Sequence, residues 1–451
     1  MISIRRRMTR RYLLSGIAGG AGMVALAACG TESMEQESGE APQVETRIQE
    51  TPQDSGPSTI STLMVLRGQN ETWINSWLDI FANFEAQHPE YKLAVTDSAF
   101  ASVTSKALTF MAAGFTFDAV YGFIDWLGLF ADAGIIQSIN PYLSTDTDVS
   151  MDDFHDFGVL RHRGIVYGLA WQLTAHPIWF NADRFQEAGL KTPAALEAEG
   201  NWTWEAVLDA ALKLTRRGDS DITVGGLQVF PMFTSYLPYY AWAWGAELWD
   251  EGCTEASFTT PAFTDAVQYS VDLFTKHNVI GGTFLYGTQG MVERAPDAVR
   301  QFDEGIAARD LFSIGMAPRP RGPNGDRGTV MTPSAIHLGN GAKNADGAWT
   351  FLKYTVSAAA QPHLAVFGQG RFNANKHLAP LTLYPFENPA VYTQMAQDGR
   401  PEPQLLQQRE FYAAWRATWD AMVEGSLPVA DAMATTQEQV QGWINKGGCL
   451  G

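Results

Sequence analysis

The side chains in this 451-residue chain best suited to chemistry are aromatic. Trp171, Tyr236, Tyr239, Tyr240, Trp242 and Trp244 concentrate near turns. Flat aromatic faces give sugar rings, like other planar or apolar ligands, a platform to stack on while polar neighbours take the hydroxyls. The same rings equally serve as core, because Trp is largely buried whatever a protein does. Catalytic signatures are missing: the chain carries no GxSxG elbow, HExxH, P-loop or CxxC, and its eight histidines lack metal-ligand spacing. No metal and no cofactor are therefore expected. Gly339-Asn340-Gly341 and Gly368-Gln369-Gly370 lack the third glycine of a dinucleotide fingerprint and read as tight loops. Asp152 with Asp153, and Asp250 with Glu251, are paired acids. Glycoside hydrolysis needs two carboxyls about 5 to 10 Å apart across a cleft, which neighbours on a solvated loop do not supply.

The elements that must position these residues alternate. Ile60 to Leu66 is an apolar, β-branched run, and Trp73, Trp77, Ile80, Phe81 and Phe84 then recur at helical spacing up to Pro89. Tyr91–Val95 and Ala119–Phe123 read as strands, with helices at Val103–Ala113 and Leu127–Ala133. Ile178–Asn181 and Thr223–Phe230 read as strands, and Ala182–Ala188 and Thr203–Thr215 as helices. Further helices are predicted at Pro261–His277, Ala345–Val356, Phe411–Glu424 and Val429–Ile444. The alternation predicts parallel α/β sheets in two units, with a helical C-terminal region.

Arg5, Arg6, Arg7, Arg10 and Arg11 precede an apolar stretch, Tyr12 to Ala28, that reads as a signal peptide. Its glycines and its length, about 17 residues, put it at the lower limit for spanning a bilayer. Thr9-Arg10-Arg11-Tyr12-Leu13-Leu14 resembles a twin-arginine export motif, with general secretion as the other route. Leu26-Ala27-Ala28-Cys29 resembles a lipobox, which makes Cys29 the lipidated N-terminus of the mature chain. Residues 29–58 are rich in Glu, Gln, Ser, Thr and Pro and read as a disordered tether. The formal charge of −18 becomes −23 once residues 1–28 are removed, so the anchor is lipid rather than a basic patch, and nucleic acid is an improbable partner. Cys253 and Cys449 remain, as a disulfide in an oxidising compartment or as two separate thiols.

Gly164-Ile-Val-Tyr-Gly-Leu-Ala, Ile178 to Phe185 with Ala188-Gly189-Leu190, and Asn201-Trp202-Thr203-Trp204-Glu205 resemble the signature stretch of extracellular solute-binding proteins of ABC importers. The similarity is to the sugar-binding group that includes maltose-binding protein. Asp118-Ala119-Val120, Phe302 to Ala308, Ile314 to Pro318, Ala348 to Lys353 and Trp415 to Ala432 follow in the family's order, across nearly the whole mature chain. Phe117 departs from the family's usual proline, and Arg309 from its usual methionine.

The resemblance implies a two-lobed, type II periplasmic-binding-protein fold with hinge-crossing strands and a cleft that closes over its ligand. Lobe 1 would be 59–173 plus 336–385, and lobe 2 would be 174–335 plus 386–451. It implies a non-enzymatic, monomeric lipoprotein receptor that delivers a sugar or oligosaccharide to the transmembrane subunits of a permease. By the same resemblance, Gln69, Asn70, Glu71, Asp125 and Trp126 face the cleft from lobe 1, and Trp171 and Gln172 lie at the hinge. Tyr236, Tyr239, Trp242 and Tyr412 supply stacking, and Arg371 would meet an anionic or hydroxyl-rich ligand. Glu71 and Asp125 fit helix N-terminal charges equally well. A glycerol phosphodiester or other anion is the competing ligand class, and a surface-anchored carbohydrate-active enzyme the competing protein class.

Overall fold

The computed structural model describes residues 56–219, 221–368 and 371–450. The signal peptide, the twin-arginine motif, Cys29 and all but the last residues of the tether lie outside them. No helix of the described residues is long and apolar enough to cross a membrane. In chain order the strands are β1 (Ser58–Arg67), β2 (Tyr91–Ala99), β3 (Ala119–Phe123), β4 (Val159–His162), β5 (Ile165–Thr174), β6 (Ile178–Asn181) and β7 (Arg216–Arg217). They continue with β8 (Ile222–Gln228), β9 (Gln289–Glu293), β10 (Ile314–Ala317), β11 (Val330–Leu338), β12 (Arg400–Pro401), β13 (Gln404–Leu405) and β14 (Cys449–Leu450).

β1 buries Ile60, Leu63, Met64 and Val65 almost completely, as a strand covered on both faces must. It pairs in parallel with β2 and β3, and the amphipathic helices Glu71–Gln87 and Val103–Ala112 lie between these strands in sequence. The parallel pattern expected from the alternation stops at β3. The first sheet runs β2-β1-β3-β11-β5-β4, and β11 enters it antiparallel to both β3 and β5. β4 and β5 are antiparallel as well, joined as a hairpin whose two turn residues, Arg163 and Gly164, both have positive φ (49° and 75°). The second sheet runs β10-β6-β9-β8-β7, and of its pairs only β8 with β9 is parallel.

The chain passes between the two sheets repeatedly. Ala175-His176-Pro177 links β5 to β6, and residues 318–329 lead from β10 back to β11. After β12, the chain leaves the first sheet for the helices Gln408–Val423 and Val429–Gly447. Trp415, Trp419, Val440 and Ile444 of those helices form a core with Phe258 and Phe263. The helix Pro389–Asp398 puts Val391, Tyr392 and Met395 into a buried cluster with residues of both sheets. Cys253 and Cys449 are joined by a disulfide.

The centre of the first sheet has one tight fit. His337 of β11 is fully buried between two flanking glycines, and a Cβ on Gly122 would lie 2.3 Å from its ring and one on Gly168 2.9 Å. Its Nδ1 lies 2.9 Å from the Tyr167 carbonyl, and burial holds its pKa down near 4, so the ring is neutral.

Candidate functional site

Three strands end on one cavity of about 460 Å³. Thr174 closes β5, and His176 follows it in the crossing segment. Phe230 and Phe233 come shortly after β8, while Arg294, Ala295 and Asp297 come directly after β9. Convergence at the carboxyl ends of strands is where open α/β sheets hold their ligands.

One wall is aromatic. Tyr236 precedes the short helix Leu237–Ala241 and stacks on His176 with ring centroids 4.5 Å apart and planes 23° apart. Phe230 and Phe233 flank Tyr236 at 5.7 and 6.0 Å, and Tyr412, at the start of the helix Gln408–Val423, stacks on Phe233 at 5.9 Å and 18°. Tyr239 lies behind, 5.5 Å from His176; it is buried and its hydroxyl donates to the Val330 carbonyl at 3.1 Å. Beneath it the Arg319 guanidinium covers the Tyr239 ring at 4.6 Å and pairs with Glu293, both fully buried. The Tyr240 hydroxyl donates to Glu293 at 2.9 Å.

This wall carries no charge. Burial, reinforced by Arg319 and Arg294, lowers the His176 pKa to about 3, so the imidazole is neutral, and burial raises the Tyr236 phenol above its ordinary value. Charge enters from the side of β9. Asp297 is accessible to water yet walled by protein, which pushes its carboxyl up, with Arg294 pulling it back.

A second polar cluster sits where the last crossing segment meets β11. Thr332 Oγ1 donates to Glu402 Oε2 at 2.6 Å, with Gln404 and Asp125 beside it. Burial pushes Glu402 to about 8, with Asp125 adding to the rise, and burial pushes Asp125 to about 6. Two neighbouring carboxyls out of water cannot both ionise cheaply.

The residues expected at the cleft therefore separate. Tyr236 lines the cavity, Tyr412 extends its wall, Tyr239 backs it, and Gln172 reaches it at one remove by donating to Thr174 Oγ1 at 3.1 Å. Asn70 caps the helix Glu71–Gln87, its Oδ1 accepting from the Trp73 backbone N–H at 2.9 Å. Gln69 is half-buried beside it, and Glu71 is exposed in the first turn. Trp171 is buried edge-on against Trp77 at 5.0 Å and Trp73 at 6.2 Å, and Trp126 packs on Phe100 at 4.8 Å.

Two expectations need correcting. Trp242 does not offer a stacking face: it is 3% exposed, its indole N–H donates to Glu247 at 2.8 Å, and the Arg400 guanidinium lies 4.0 Å over its ring. Arg371 does not meet a ligand: it is fully buried, its guanidinium spent on Glu387 and the Ala365 carbonyl. Tyr392 and the backbone N–H groups of Leu383 and Tyr384 complete the shell of Glu387. His176, Phe230, Phe233, Arg294 and Asp297 were not anticipated. The signal available for His176 was its place in Thr174-Ala-His-Pro177, immediately after the predicted hinge strand.

Two α/β lobes joined by crossing strands, with an open cavity where strand ends converge, are the architecture of a two-lobed binding protein. The chain belongs to the bacterial extracellular solute-binding protein family, whose model matches residues 70–362. Protein BAB2_0491 of Brucella abortus (strain 2308) is 28% identical over 283 residues, 60% of this chain, and the match spans 66% of that relative's length. The fold is similar to that of the sugar-binding protein MalE of Xanthomonas citri, with a TM-score of 0.73 at 16% identity over 86% of this chain and 98% of that one. It is also similar to the cyclic alpha-maltosyl-1,6-maltose binding protein of Arthrobacter globiformis, with a TM-score of 0.71 at 18% identity over 87% and 100% of the two chains.

Proposed function

We propose that this protein is the membrane-anchored receptor of an ABC importer, binding a sugar or oligosaccharide between its lobes and delivering it to a permease by domain closure. The observation that carries the reading is the neutral aromatic wall of Phe230, Phe233, Tyr236 and Tyr412 beside a cavity of about 460 Å³, within the size range of small-ligand sites. Stacking faces next to the polar groups of Thr174, His176, Arg294 and Asp297 match a ring with apolar faces and a hydroxylated edge. The sugar-binding MalE and the cyclic alpha-maltosyl-1,6-maltose binding protein, which share the fold, agree with this class.

Lipidation at Cys29, after export by a twin-arginine or general secretion route, would hold the monomeric receptor at the membrane surface, with residues 30–58 as its tether. In this reading lobe 1 comprises 59–173 and 336–385, and lobe 2 comprises 174–335 and 386–451. Closure needs only that the ligand bind the closed form more tightly than the open one. Binding without turnover is favoured over hydrolysis, because Asp125 and Glu402, the neighbouring carboxyl pair, do not line the cavity.

The test is a thermal-shift screen of residues 59–451 against sugars, polyols, phosphodiesters, peptides and polyamines, followed by chemical recovery of each hit. A stabilising sugar recovered intact supports the reading. A consumed sugar would make the protein an enzyme, and stabilisation by phosphodiesters alone would replace the ligand class.

A further inference from the structure

Among the described residues Arg294 is the one fixed cation in the lining of the cavity, and its guanidinium makes no ion pair or side-chain hydrogen bond to any of them. The groups around it explain why it stays unpaired. Glu293 precedes it in sequence but is taken by Arg319, by the Tyr240 hydroxyl and by the Phe230 backbone N–H. His176 is neutral. Asp297 shares the cavity and feels the charge of Arg294, yet the two form no ion pair. A half-buried guanidinium beside an apolar wall carries a desolvation cost that an incoming anion offsets.

Resting on the saccharide reading above, we propose that the ligand is an acidic saccharide, a hexuronate or its oligomer, whose carboxylate is held by the fork of Arg294 while its ring stacks on Tyr236. One planar guanidinium matches one carboxylate through two parallel N–H···O bonds. A phosphate dianion would call for a second cation, which the described residues of the lining do not supply, and would meet Asp297 at greater cost. Asp297 instead accepts from a ring hydroxyl.

The experiment is calorimetric titration of the full soluble chain with trigalacturonate, its methyl-esterified counterpart, maltotriose and a glycerol phosphodiester, using wild type, Arg294→Gln and Arg294→Lys. Trigalacturonate is expected to bind about 10- to 100-fold more tightly than its ester, the range of a charge-assisted over a neutral contact. Arg294→Gln should erase that difference, bringing acid and ester to the same affinity. Arg294→Lys keeps the charge without the fork and should retain part of the preference, which holds the test open if the Gln variant fails to fold. Equal binding of acid and ester by wild type would overturn the acidic class and leave a neutral-sugar receptor standing. Maltotriose binding alone would do the same. Silence toward all three saccharides, with glycerol phosphodiester bound, would overturn both this inference and the saccharide reading.

Discussion

Tyr236 and Trp242 lie six positions apart, yet the structure gives them different work. Tyr236→Ala removes a stacking face from the cavity and should weaken saccharide binding by about 1 to 2 kcal/mol, roughly tenfold, with little change in melting temperature. Trp242→Ala opens a void under Arg400 and should cost about 3 to 5 kcal/mol of stability, with ligand affinity unchanged in whatever protein remains folded. Calorimetry with urea unfolding on both variants separates the roles, and equal effects on affinity would return Trp242 to the binding site. A further residue-scale expectation concerns Glu402. Its folded pKa, raised to about 8 from an ordinary 4.5, means the folded chain holds a proton that the unfolded chain releases. That contribution to stability is complete below about pH 4.5 and is lost as pH rises through 8, at no more than about 1.4 kcal/mol per pH unit. Glu402→Gln should therefore flatten the fall in unfolding free energy between pH 5 and 8. Buried neutral His176 and His337 act with the opposite sign, withdrawing stability as pH drops below about 6.5, and they do so in both proteins.

At the scale of elements, the C-terminal strand is held to the body by two independent devices. β14 pairs with β13, and Cys449 is bonded to Cys253, while Gln437 and Gln441 of the last helix accept from the backbone N–H groups of Phe258 and Ala256 at 2.7 and 2.9 Å. The bond closes a sequence separation of 196 residues, so Cys253→Ser should destabilise by about 2 to 4 kcal/mol in a denaturant titration. Wild type treated with reductant should match the variant, and a shift in the variant alone would point to local packing. Elements were the part of the fold most open to reading from sequence. β1 and the helix after it carry their own signals, a β-branched run and aromatics at helical spacing, and both formed within a few residues of where those signals put them. β11 does not advertise its antiparallel insertion, because pairing with β3 and β5 is fixed by partners more than 150 residues away. The site was harder for the same reason. Arg371 looks available until Glu387 folds onto it, and Trp242 looks like a platform until Arg400 covers it. Nothing periodic marks Arg294 or Asp297, which become a lining only when β9 ends beside β8.

For the whole molecule, domain closure makes a prediction that single residues cannot test. A saturating sugar should lower the radius of gyration of residues 59–451 in small-angle scattering, by the same amount for wild type and for a Tyr236→Ala variant brought to saturation. Binding with an unchanged scattering profile would leave a receptor whose lobes do not move. The strand order of the first sheet has its own consequence for how the molecule is made. β11 fills the gap between β3 and β5, and it is synthesised about 155 residues after β5 ends. Until Val330 and the residues after it leave the ribosome, β3 and β5 each present a bare edge, apolar and able to pair with any extended strand. A nascent chain stopped short of that point carries two unpaired strand edges, the template by which one chain adheres to another.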